Sequence, residues 1–310
     1  MQFQVEILLF LQSIRTELLN IIFLLFTIST ELPVVILFTS VLYWCVDKSK
    51  GQKMLFSLIG SIAINSGIKN IVKAQRPIGI EGLESMREST ATGYSFPSGH
   101  TQTATTFWTN LIILFRNKKI YICGILVALA VGISRVYLGV HWPIDVLFGW
   151  IFGIICSLLF INIFDKIDKT KNYKLLLIIN VLFIGALVFI EGETYMKTVA
   201  LMTGFSLGYI FEDKYIQFET FSKKTRQINF STKKRNKSNT NISVYRMIIG
   251  LATLGIVYII MKYMFMVIGM MLNIDSNMYI LDFMRYTIVV FYAVAGVPML
   301  FEIFKLNYKR

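Results

Sequence analysis

The chain has 310 residues, 55% of them hydrophobic and only 16% charged, with a mean hydropathy of +0.62. Its apolar residues come in blocks of roughly 15 to 25, long enough to cross a bilayer, which excludes a soluble globular domain for want of a polar exterior. The formal charge of +13 is spread through the loops instead of being gathered in one basic domain, which argues against a nucleic-acid partner.

Residues 3–14 read as a short amphipathic helix lying in the membrane interface and ending near Arg15. The pattern then predicts spans at 16–29, 32–46 and 54–73, with a basic turn, 48–53, before the third. A polar loop, 74–100, is rich in Gly, Ser, Glu and Pro. Spans at 101–115, 119–139 and 143–163 follow, joined by the short connections 116–119 and 140–142. A basic loop, 165–174, leads to spans at 175–190 and 198–211. The polar stretch 212–244 carries Lys223, Lys224, Arg226, Lys233, Lys234, Arg235 and Lys237, and spans at 245–271 and 280–304 close the pattern. The expected fold is all-α, a polytopic transmembrane helical bundle of about ten spans. Six form a core over 1–165, and about four form an extension over 166–310, with 212–244 as a cytoplasmic basic linker.

Cys45, Cys123 and Cys156 lie inside apolar blocks, and their odd number and wide spacing fit packing better than disulfides or zinc. No basic segment precedes the first apolar block, so no cleaved signal is expected. Gly149/Gly153 and Gly204/Gly208 have the spacing of close helix packing or of a homodimer contact. Positive-inside counting with a cytoplasmic N-terminus places about 21 of the 31 Lys and Arg in alternate, inside segments. Both termini are then expected in the cytoplasm, with loop 74–100 and corner 140–142 on the opposite face of the cell membrane.

Those two outer elements hold both histidines of the chain, His100 and His141. Lys69 and Arg76 are seven residues apart, so on a continuing helix they project from one face, and Pro77 ends that helix. Pro97-Ser98-Gly99-His100 marks a loop becoming a helix. Ser98 is placed to cap it, Gly99 to let an anion approach the backbone, and the helix dipole to favour negative charge. Arg135 near the outer end of a span is costly unless it meets an anion, and its planar fork suits a pair of phosphate oxygens. His141 and Asp145, four apart across Pro143, allow the carboxylate to fix the imidazole tautomer. Together these groups suit a tetrahedral oxyanion, one histidine attacking and the other protonating a leaving group.

In order and spacing the three segments resemble the motifs of the type-2 phosphatidic acid phosphatase superfamily. These are Lys, six residues, Arg-Pro; Pro-Ser-Gly-His; and Ser-Arg, five residues, His, three residues, Asp. The resemblance covers roughly 30–165. It implies a metal-independent lipid phosphatase without a cofactor, acting on a lipid phosphate at the bilayer surface. Lys69, Arg76 and Arg135 would bind phosphoryl oxygens, and Ser98 and the Gly99 N–H would complete the cradle. His141, oriented by Asp145, would form a phosphohistidine, and His100 would protonate the leaving oxygen. Ile144 departs from the Thr or Ser the family often carries there, which is expected to alter local hydrogen bonding only.

Loop 78–95, with Glu81, Glu84, Arg87, Glu88 and Tyr94, could cover the site or read a headgroup. Glu191 and Glu193 read as solvated carboxylates or as a headgroup lining. Undecaprenyl pyrophosphate is the first expectation for the substrate, since Lys-, Ile- and Asn-rich composition suggests an AT-rich bacterium and an outward site suits a cell-wall carrier. Phosphatidylglycerol phosphate and phosphatidic acid come second. A transporter or flippase of lipid phosphates is the alternative of another class, disfavoured by the scarcity of charge in the later spans beyond Lys262 and Arg285.

Overall fold

The computed structural model describes residues 2–220, 237–272 and 279–306, without the side chains of 237–240. The expected linker cations Lys223 to Lys237 lie outside the described side chains. Among the described residues every regular element is helical. In chain order they are α1 (Gln2–Ser13), α2 (Glu17–Ile28), α3 (Leu32–Val41, with a π turn Leu42–Val46), α4 (Lys48–Val72) and α5 (Gly99–Phe115). Next come α6 (Lys118–Tyr137), α7 (Pro143–Thr170), α8 (Tyr173–Gly185) and α9 (Glu193–Phe211, with a π turn Glu212–Ile216). The last are α10 (Lys237–Met271), α11 (Ile280–Phe291, with a π turn Tyr292–Gly296) and α12 (Val297–Ile303).

Each expected span coincides with a helix, but the boundaries and the membrane count differ from expectation. The basic turn 48–53 is the first part of α4, because the Asp47 carboxylate accepts from Lys50 N at 3.1 Å and Lys and Gln favour helix. Asn117 caps α6, accepting from Lys119 N at 2.8 Å, so only a two-residue break separates it from α5. Among the described residues five helices are long and apolar enough to cross a bilayer, or six if α1 and α2 form one bent span. Helices such as α3 and α8 are apolar but shorter.

Two compact units interleave along the sequence: one formed by 1–37, 56–166 and 189–195, the other by 38–55, 167–188 and 196–310. In the first, α4 and α5 meet along a polar seam. Ser57, Ser61 and Asn65 recur every fourth residue on α4, as do Gln102, Thr106 and Asn110 on α5. Asn65 donates to Gln102 at 2.8 Å, the Ser61 and Thr106 hydroxyls are 2.8 Å apart, and Ser57 donates to Asn110 at 3.1 Å. In hydrocarbon such groups satisfy one another, and the seam fixes the register of the two helices. Gly149 and Gly153 bring α7 against α5: a Cβ at Gly153 would lie 2.6 Å from Thr105 Cβ. That glycine pair therefore serves packing within the chain.

The same unit holds α1 and α2, which are bent by 119° at their junction. Gln12 donates to Gly82 O at 3.0 Å and Arg15 to Tyr137 O at 2.7 Å, so the start of α2 is fastened to the C-terminal end of α6 and to loop 73–98. Thr27 and Ser134 share a hydrogen bond of 2.8 Å, and Glu31 pairs with Arg87 of the loop at 2.9 Å. Both ends of α2 are thus held on one side, where a first crossing at 16–29 was expected. The reason is length: 12 residues rise about 18 Å, short of the roughly 30 Å of a bilayer core.

In the second unit, Gly204 and Gly208 admit the α11 backbone and Val294: a Cβ at Gly204 would lie 2.4 Å from Thr287 O. Two buried charges here went unrecognised in the sequence. Arg246 stacks over Phe218 and Phe301 and donates to Trp44 O at 3.0 Å and Leu306 O at 2.7 Å. Glu212 accepts from Lys48 at 2.8 Å and from Phe218 N at 2.8 Å. Both tie chain segments together, as buried charges must when water is absent.

Candidate active site

Every residue singled out in the sequence for catalysis or phosphate binding lies in the first unit, at the ends of α4, α5, α6 and α7 or in the loop that follows α4. Arg76 comes from that loop and not from a helix continuing to Pro77 as expected, because α4 ends at Val72 and Lys73 is left-handed at φ 53°. Lys69 comes from the last turn of α4 and Arg135 from the last turn of α6. Ser98, Gly99 and His100 start α5, and His141 precedes α7, whose first turn holds Asp145.

His141 and Asp145 are both buried, and Nδ1 lies 3.2 Å from Asp145 Oδ2. Pro143 starts α7 with a preset φ, so the loop residue and the first-turn carboxylate meet one turn apart. On the other ring nitrogen, Arg76 Nη1 lies 3.0 Å from Nε2. A guanidinium can only donate, so Nε2 carries the lone pair and Nδ1 the proton. Burial first, then the Arg76 and Lys69 cations, holds the His141 imidazole well below the usual histidine range. The ring is therefore neutral and nucleophilic at neutral pH.

Arg76 is held by backbone carbonyls: Nε donates to Gly93 O at 2.9 Å, Nη2 to Thr92 O at 2.8 Å and Nη1 to Val140 O at 2.9 Å. Lys69 Nζ donates to Tyr94 O and, at 3.2 Å, to Ser95 O. Arg135 is different. It is fully buried, and Nε, Nη1 and Nη2 all lack a hydrogen-bond partner among the described residues. Its charge acts on His100, as do those of Arg76, Arg87 and Lys69. Asp145 acts on Lys69 and Arg76 and Glu31 on Arg135, and with Arg87 also close the cations outnumber the carboxylates, an arrangement that calls for an anion with several oxygens.

Ser98 occupies the position before α5 but does not cap it with its side chain, contrary to expectation. Its hydroxyl accepts from Thr101 Oγ1 at 2.9 Å, while its N–H donates to Asp145 O at 3.0 Å. The first-turn N–H groups of α5 therefore keep their donor capacity beside Gly99, where a Cβ would meet Asn65 Oδ1 at 3.4 Å.

The sequence reading missed Ser95. Its hydroxyl donates to Asp145 Oδ2 and sits 3.3 Å from His141 Nδ1. Trp142 N also donates to Oδ2, at 2.9 Å, so the carboxylate is oriented from three sides. The available signal was the position of Ser95, three residues before Ser98 in a loop that had to return to the helix start. Ile144, the departure from the family pattern, is 40% exposed and its N–H donates to Gln4 at 3.1 Å, outside this network. No group of three or more His, Cys, Asp or Glu able to hold a metal occurs among the described residues.

Residues 51–169 match the PAP2 superfamily, and residues 196–310 match the PAP2 superfamily phosphatase transmembrane extension. An undecaprenyl-diphosphatase of Sulfolobus acidocaldarius is 35% identical over 113 residues, which are 36% of this chain and 54% of that protein. Phosphatidylglycerophosphatase B of Bacillus subtilis is 29% identical over 150 residues, 46% of this chain and 71% of that protein. The crystal structure of a transmembrane PAP2-type phosphatidylglycerolphosphate phosphatase from Bacillus subtilis has 26% identity and a TM-score of 0.44, covering 54% of this chain and 86% of that one. The match spans about half the length of the first of these relatives. With its long apolar helices and the transmembrane extension, this is a multi-pass membrane protein. The chain belongs to the PAP2 superfamily.

Proposed function

We propose that the protein is a metal-independent phosphatase of a membrane lipid, working through a phosphohistidine on His141. The observation that carries this reading is the buried Arg135 guanidinium, with no hydrogen-bond partner among the described residues, beside two further cations and a neutral, oriented histidine. Arg76 leaves Nε2 for a phosphoryl oxygen as the substrate enters, and Lys69, Arg135, Ser98 and the Gly99 N–H take up the remaining oxygens. His141 Nε2 attacks phosphorus, the P–O bond to the lipid breaks, and the departing oxygen takes the proton of His100, which is protonated once the anion sits beside it. His100 then accepts a proton from water as that water attacks the phosphohistidine, releasing phosphate and restoring Nε2.

Undecaprenyl pyrophosphate is the substrate we favour, with phosphatidylglycerol phosphate second, in keeping with the names of the similar proteins above. We place the site on the outer face, following the lysine distribution. An N-terminus on that same face, in place of the cytoplasmic one first expected, fits the fastening of α1 and α2. The test is phosphate release by purified protein from undecaprenyl pyrophosphate, phosphatidylglycerol phosphate and phosphatidic acid, all in EDTA. Release that survives EDTA and is fastest on the pyrophosphate supports the reading; a strict metal requirement overturns it.

Two consequences concern the histidine. Ser95→Ala should lower kcat by about tenfold to a hundredfold with little change in KM, since a hydrogen bond to a charged group contributes about 1.5–3 kcal/mol. Ser95→Thr, which keeps the hydroxyl, should recover most of it. Because burial and cations hold His141 low, the acid limb of kcat/KM should fall below pH 6.5, the ordinary histidine value. Removing a cation favours the imidazolium, so Arg76→Gln should move that limb to higher pH in a pH–rate profile.

A further inference from the structure

We propose that Arg87, released from Glu31, holds the second phosphate of a diphosphate lipid and so sets the preference of the site for diphosphates over monoesters. This rests on the phosphatase reading above. Arg87 is not one of the three phosphate-binding cations, yet its loop is fixed against the corner that carries His141: Met86 N donates to Leu138 O at 2.8 Å, and Ser85 Oγ to Gly139 O at 2.8 Å. Its charge acts on both His100 and Arg135. His100 serves the leaving group, so a cation on its side of the site is placed for whatever phosphate the leaving group bears.

Two features make Arg87 available. Its ion pair with Glu31 is close, at 2.9 Å, but Arg87 Nη1 and Glu31 Oε1 are buried without an aligned hydrogen bond. A pair that leaves a buried donor unused is exchanged for an acceptor with more oxygens. Its backbone is also left-handed, φ 58°, a conformation arginine seldom adopts, and is held by Thr90 donating to Arg87 O at 3.0 Å. The charge balance points the same way. Four cations (Lys69, Arg76, Arg135 and Arg87) minus two carboxylates (Asp145 and Glu31) leave two positive charges, the match for a phosphate monoester. A diphosphate ester brings a second phosphate group, to which the Arg87 fork can donate when it leaves Glu31.

The experiment uses the full-length protein and the Arg87→Gly and Glu31→Gln variants. Glycine suits φ 58°, so Arg87→Gly removes the charge without straining the loop. The readouts are kcat/KM on undecaprenyl pyrophosphate and on phosphatidic acid, and calorimetric binding of inorganic pyrophosphate and inorganic phosphate. The diphosphate-to-monoester ratio of kcat/KM should fall at least about tenfold in Arg87→Gly and rise in Glu31→Gln, and pyrophosphate should lose more affinity than phosphate. A ratio that stays within about twofold, or equal losses on both substrates and both anions, overturns the role of Arg87 and leaves the phosphatase reading standing. Unchanged, selective binding of pyrophosphate by a wild-type protein that releases no phosphate overturns the phosphatase reading instead.

Discussion

His141→Ala should reduce phosphate release by at least about 10⁴-fold on every substrate, while the protein remains folded and still binds inorganic phosphate. The loss is large because nothing else in the site can take over. Asp145 is engaged by Ser95, Trp142 N and His141 itself, and His100 is committed to the leaving group. Binding should survive because Lys69, Arg76 and Arg135 are anchored by their own helices and by loop carbonyls, independently of the imidazole. Phosphate release assayed beside calorimetry separates the two effects. Equal loss of binding and turnover would assign His141 to the cradle rather than to the chemistry.

Arg135→Met should move stability and activity in opposite directions. A buried guanidinium without a hydrogen bond among the described residues costs free energy, and a side chain of similar length without charge removes that cost, so the folded protein should gain about 1–3 kcal/mol. The same change removes a fork that grips the transferring phosphoryl group and should lower kcat/KM by about 10²- to 10³-fold. Thermal unfolding in detergent read beside phosphate release checks both signs. A destabilised variant would show that Arg135 holds the fold and is not kept for an anion.

Features set by local spacing were legible before the structure. His141 and Asp145 meet because four residues and a proline start a helix between them, and Arg135 lies in a last turn, as its position before the 140–142 corner implied; the helix expected to run on to Pro77 instead ends at Val72, where Lys73 turns left-handed at φ 53°. Features set by the path of the chain were not legible. Ser95 reaches Asp145 only because Ser95 N is tied to Ala74 O at 2.8 Å, bringing the far end of the loop back to its start. The Ser98 hydroxyl was expected to cap and instead binds Thr101, a competition between neighbours that sequence does not rank.

Hydropathy reports apolar character, not direction, so α2 read as a crossing although its two ends are fastened on one side. Glu212 and Arg246 sat among polar and apolar residues whose later contacts were unknown. Their partners, Lys48 and the carbonyls of Trp44 and Leu306, lie far away in sequence. The Arg87–Glu31 pair is of the same kind: it joins the polar loop to the end of α2, two segments that no sequence pattern connects.

The covalent intermediate on His141 can be trapped. Purified protein mixed for milliseconds with lipid substrate labelled in its terminal phosphate, then quenched in base, should carry label on a peptide containing His141. That label should be stable in base, labile in acid, and absent from His141→Ala. Label on another residue, or turnover with no covalent label at any mixing time, would exclude His141 as the nucleophile.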